Sequence, residues 1–234
     1  MKLCRSIAGA VATLLLGPAA LAAGVAVDLT ALEQRWLRGV WPVVVFARDN
    51  ALPLDIVVQP QPTPGAAPLA LAFVDGRCKL VLSMRGNPQA QTTLDRIEPG
   101  LLGATLELMA AHELGHCRRY QAGAWHGLPA GFTAHVPAGM GAAWRSQFAN
   151  MQAARREEGY ADLVGLAWAR QRHPQHYPAL QAWLLAERST DVVPGSHHDT
   201  GVWVRLVGDG NALAQASIFN APAALWAAGL HADD

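Results

Sequence analysis

Residues 101–120, LLGATLELMAAHELGHCRRY, form the longest stretch of clean helical pattern in the chain, about 20 residues without a proline. Its polar centre is His112, Glu113 and His116 in the order H-E-x-x-H. The flanks are small and apolar, "LMAA" before and "LG" between. A helix with such flanks is buried, and it takes two imidazoles in with it. Burying them bare is costly, so the fold must bring a partner to them. That requirement constrains the rest of the chain more than any other feature.

Residues four apart on a helix lie on one face, a turn apart, so His112 and His116 can aim a ring nitrogen each at one ion. Glu113 stands beside that ion and can exchange a proton with water or a leaving group. An open metal site needs a third protein ligand. A histidine six residues after His116 would occupy position 122, which is Ala122, and a Gly turn at 119 is replaced by Arg119. Cys117 points about 100° away from His116 and is a weak candidate. The better source is REEGYADLVG. Glu158 and Asp162 are again four apart. Glu158 can ligate, and Asp162 can accept the outer N–H of a ligating histidine and fix its tautomer. Glu157 is the alternative ligand, but it lies off the face of Asp162. Without the histidines, both glutamates would read as a solvated face beside Arg155 and Arg156.

His112-Glu113-x-x-His116 followed some forty residues later by Glu158-x-x-Ala161-Asp162 resembles the gluzincin group of zinc metallopeptidases. The E-x-x-A-D form is similar to that of the heat-shock and CAAX-processing membrane zinc peptidases. The likeness covers about residues 101–169. It implies a zincin-like α+β fold, a Zn2+ cofactor and a peptide or protein substrate. It gives Glu113 the role of general base, makes His112, His116 and Glu158 the ligands, and lets Asp162 brace His112. Such enzymes also use a His or Tyr against the developing oxyanion, often with an Arg. GSHHDTGVWVRLV offers His197, His198 and Arg205, of which His198 is preferred, and Tyr160 is a further candidate. By fold analogy, the strand over 78–85 is expected to be the edge that pairs with a bound peptide. Those membrane relatives carry transmembrane helices, whereas no apolar run after the first two dozen residues is long enough to span a bilayer.

The first 23 residues read as a secretory signal peptide: Lys2 and Arg5, an apolar run over 7–16, then small residues around Ala22 and Ala23. That predicts a periplasmic or secreted protein. Removal of the segment takes Cys4 with it and leaves Cys78 and Cys117, an even pair in an oxidising compartment. A disulfide is expected, with two buried thiols as the alternative. The net charge is zero and no basic run exceeds two residues, so nucleic acid has no support as a partner. Residues 24–234 are expected to form one domain, a small N-terminal sheet followed by a helical half carrying the H-E-x-x-H helix.

Local signals fill in the elements. Thr30 with Glu33 predicts a capped helix from Ala31, ambiguous between helix and strand beyond Pro42. A strand is expected over 54–59, then a hairpin turning at Asp75-Gly76. Helices follow over 101–120, over 142–173 with an interruption near Gly159, over the PQHYPALQAWLLAERS stretch, and over 202–207. Two readings compete with the peptidase: a zinc hydrolase of a non-protein amide, such as a cell-wall peptide, and a non-catalytic zinc domain that recognises a partner. The intact Glu113 argues against the latter, since a structural site needs no base.

Overall fold

The computed structural model describes residues 28–127, 138–190, 192–214 and 217–232. The expected signal segment and residues 128–137 lie outside the described residues. The first element, α1 (Ala31–Asp49), starts on the predicted capping box: Thr30 accepts from the Glu33 amide and Glu33 accepts from the Thr30 amide. The helix runs straight through Pro42. Trp36, Val40, Val43 and Ala47 are all fully buried, a helical stripe that outweighs the hydrogen bond lost at the proline.

Strands β1 (Leu54–Pro60), β2 (Leu69–Val74) and β3 (Arg77–Arg85) form a mixed sheet in the order β1-β3-β2. The β2–β3 hairpin turns at Asp75 and Gly76, both at positive φ, as the Asp-Gly signal predicts. The expectation for the 78–85 strand is corrected. β3 pairs with β1 in parallel on one side and with β2 on the other, so it is the central strand. Its Cys78, Leu80, Leu82 and Met84 are buried, and a strand so covered is a poor edge. Among the described residues β1 and β2 are the two edge strands, and β2 is the one whose residues reach the cleft described below.

After a short helix α2 (Pro88–Asp95), α3 (Leu102–Gln121) and α4 (Ala142–Arg172) pack side by side, and α5 (Tyr177–Glu187), α6 (Gly201–Leu206) and α7 (Asn220–Ala232) close around them. Among the described residues this is an α+β fold of seven helices and one three-stranded sheet. The buried side chains of sheet and helices join in one core. α2 and α7 were not anticipated, although Asn87 caps α2 with Pro88 in its first turn, a readable start signal. α4 is not interrupted at Gly159. A Cβ there would meet the Trp203 ring at 2.5 Å, so the glycine admits a neighbour and breaks nothing. Gly115 does the same between helices: its Cβ would lie 2.9 Å from the Ala161 Cα. The space it leaves is filled by α4.

Cys78 and Cys117 form the expected disulfide, joining the start of β3 to α3 one residue beyond His116, and both are fully buried. The bridge spans 39 residues of sequence, for which loop-closure entropy gives about 4 kcal/mol. Replacing both cysteines by alanine is expected to lower stability by that amount and Tm by roughly 8–16 °C in a chain of this size. Denaturant and thermal unfolding of the pair of proteins measure it, and a loss under about 1 kcal/mol would contradict the entropic account. No helix among the described residues is long and apolar enough to cross a membrane.

Candidate metal centre

α3 and α4 bring His112, His116 and Glu158 together. One ligating atom from each lies within 4.8 Å of the others. The two Nε2 atoms are 3.1 Å apart, and Glu158 reaches each imidazole with one carboxylate oxygen, 3.3 Å to His112 Nε2 and 3.3 Å to His116 Nε2. This convergence depends on the close approach at Gly115, one residue before His116 on α3 and facing Ala161, one residue before Asp162 on α4.

Asp162 stands behind the cluster, fully buried. Its Oδ1 lies 2.9 Å from His112 Nδ1, so that nitrogen carries a proton and Nε2 is left to face the cluster. Arg188, just past α5, donates to Asp162 through Nε at 2.9 Å and Nη2 at 2.7 Å, and its Nη2 lies 3.7 Å from Glu158. Thr200 donates its hydroxyl to Asp162 Oδ2. Neither Arg188 nor Thr200 is among the residues expected from the sequence. Neither belongs to a local motif, and a Thr before a short helix reads as a cap.

Local charge favours a cation. With all three ionised, Glu113, Glu158 and Asp162 carry three negative charges against two positive ones, on Arg188 and a protonated His112, a balance of −1 that becomes −2 when the His112 proton leaves. Burial works against a charged His112, but the hydrogen bonds to Asp162 and Glu158 prevail and push its pKa up to about 10. Burial also opposes the Glu158 carboxylate, yet the two histidines hold it well below the usual range. Glu113 shifts the other way, pushed up chiefly by desolvation. The donor set therefore fits a dication: two imidazoles and a carboxylate, gathered in a buried space where only a proton or a metal ion can reconcile them.

A cation taking His112 Nε2 must displace the proton that Asp162 and Glu158 stabilise there. Binding of a divalent ion at pH 7 is expected to release about one proton, with affinity rising about tenfold per pH unit below the His112 pKa. Calorimetry in two buffers of different ionisation enthalpy measures the release, and a value near zero would show that His112 is neutral beforehand.

The cluster forms the floor of a cleft of about 460 Å³ that Glu113 also lines. Residues 67–71, at and before the free edge of β2, form one wall, and Trp183, Arg188 and His198 contribute to the rest. His198 thus reaches the cleft. Its basicity is lowered by burial and then by the Arg188 charge. Tyr160 and Arg205 do not join the site. Tyr160 is buried against Trp226, and Arg205 is exposed on α6. Glu157 turns away from the histidines into a bidentate pair with Arg119, 2.8 Å at each oxygen, and accepts the His126 amide. It ties α3, α4 and the following turn together and is not among the gathered ligands. His173 pairs with Glu107 at 2.9 Å, away from the cluster.

The chain matches no protein-family model, and no characterised protein or solved structure is significantly similar to it.

Proposed function

We propose that this chain is a zinc-dependent peptidase with a zincin-like fold, exported to the periplasm or the exterior. One observation carries the reading: His112, His116 and Glu158 converge on the floor of a cleft that also presents the Glu113 carboxylate. Two imidazoles and one carboxylate are a donor set suited to zinc with a coordination position left open. When bound there, zinc supplies a Lewis acid that polarises a carbonyl and makes water more acidic.

The protein's own groups do the rest. Glu113, made more basic by desolvation, accepts a proton from the attacking water and returns it to the leaving nitrogen. Asp162 keeps the His112 proton on Nδ1 throughout, with Arg188 fixing the carboxylate from behind. His198 offers a polar group over the same floor. The unpaired edge of β2 can receive an extended peptide by backbone hydrogen bonding, which suits an amide polymer better than a compact small molecule.

The test is metal content followed by cleavage of a mixed peptide library. One zinc per chain, with cleavage lost to a chelator and restored by zinc, supports the reading. One zinc without peptide cleavage favours a non-protein amide substrate or a partner-binding domain. A chain that holds no zinc after reconstitution defeats it.

A further inference from the structure

Thr200 directly precedes α6, the position where a hydroxyl ordinarily caps a helix by accepting from backbone amides. It makes no such bond. The side chain is fully buried and its hydroxyl donates instead to Asp162 Oδ2. A local rule is broken in favour of a contact 38 residues away in sequence, and such departures mark sites where function sets the geometry.

The contact completes Asp162. Each of its oxygens now takes two donors: His112 and Arg188 Nη2 on Oδ1, Arg188 Nε and Thr200 on Oδ2. Those donors come from α3, from the end of α5 and from the start of α6, so the carboxylate has no freedom to rotate away from His112.

The approach to Thr200 is equally fixed. Arg155 donates to the Asp199 carbonyl, the Asp199 side chain accepts the Gly195 amide at 2.8 Å, and Gln152 donates to the Gly195 carbonyl at 3.2 Å. On the other side, fully buried Trp203 is seated on Gly159, the residue after Glu158. His198, two residues before Thr200, is held by this strap where it enters the cleft.

We propose that Thr200 is a positioning residue of the metal centre: its hydroxyl orients the carboxylate that sets His112, and it pins the loop that carries His198 to the same carboxylate. The proposal rests on the reading of the cluster as a metal site and goes beyond it in assigning a residue outside the motifs. Valine matches threonine in shape and lacks the hydroxyl, while serine keeps it.

The experiment measures zinc affinity of the full chain by competition with a chelator, and the visible spectrum of the cobalt(II) form, for the unaltered protein, Thr200→Val and Thr200→Ser. Thr200→Val is expected to weaken zinc about tenfold and to shift the cobalt bands, with Thr200→Ser within about twofold of the unaltered chain. Thr200→Ala should reproduce the loss if the valine chain does not fold. Equal affinity in the hydroxyl-free variants overturns the proposal. So does a serine variant as weak as the valine one, because packing and not the hydroxyl would then be responsible. These readouts need no peptide. A chain that binds zinc, responds to Thr200→Val and cleaves nothing would sustain this inference while defeating the peptidase reading. A chain that binds no zinc defeats both.

Discussion

On the proposed peptidase reading, Glu113→Gln is expected to retain zinc and lose peptide cleavage by about 10²- to 10⁴-fold, the range for removal of a positioned general base. Retention of the metal follows from geometry. The gathered ligand atoms come from His112, His116 and Glu158, and Glu113 is not among them. The loss follows from chemistry, since an amide has the size of a carboxylate but cannot accept the proton. The carboxylate is also pushed up by burial, so the protein already bears the cost of desolvating it. Glutamine removes that cost, and the variant should be as stable as the parent or slightly more so. The check is kcat/KM on a cleaved peptide, zinc content and Tm, all on the same preparations. Cleavage within tenfold of the parent would remove Glu113 from the mechanism. Coupled loss of zinc would mean that it supports the metal and is no base.

Much of this site was legible because it is built from helical spacing. His112 with His116 and Glu158 with Asp162 are two i, i+4 pairs, and such pairs share a face whatever the tertiary fold. The same rule separated Glu158 from Glu157, which the structure turns toward Arg119. What was not legible depends on packing between distant segments. Strand order is one case: an apolar alternating run reads alike in the centre and at the edge of a sheet, and only the parallel pairing of β1 places β3 inside. Gly115 and Gly159 are another. Gly159 read as a break, yet each glycine admits a neighbour at close range, Trp203 at Gly159 and Ala161 at Gly115. Pro42 left helix and strand undecided by propensity, and the buried stripe through Trp36, Val40, Val43 and Ala47 is what carries α1 past it. Arg188 and Thr200 had no local signal at all. Their chemistry exists only through Asp162.

Asp162→Ala should be strongly damaging to the folded state. The carboxylate is fully buried and answers three side chains. Its removal leaves the Arg188 guanidinium, 14% exposed, without the partner at 2.7 Å that offsets its desolvation. Breaking a buried pair from one side costs about 3–5 kcal/mol. The alanine also frees the His112 tautomer, which should weaken zinc by about 10- to 100-fold. Acid adds a separate signature. Burial raises the Asp162 carboxyl, but the Arg188 charge and the His112 bond prevail and hold it well below the ordinary carboxylate value. A group depressed on folding contributes its full stability above its unfolded pKa, about 4, and loses it as pH falls further. The metal-free parent should therefore be several kcal/mol more stable than the variant at pH 7, and the gap should narrow below about pH 4. Urea unfolding of both proteins across that range measures the gap. A difference under about 1 kcal/mol at neutral pH, or one that stays constant into acid, would show that Arg188 finds other partners and that Asp162 orients His112 without holding the fold.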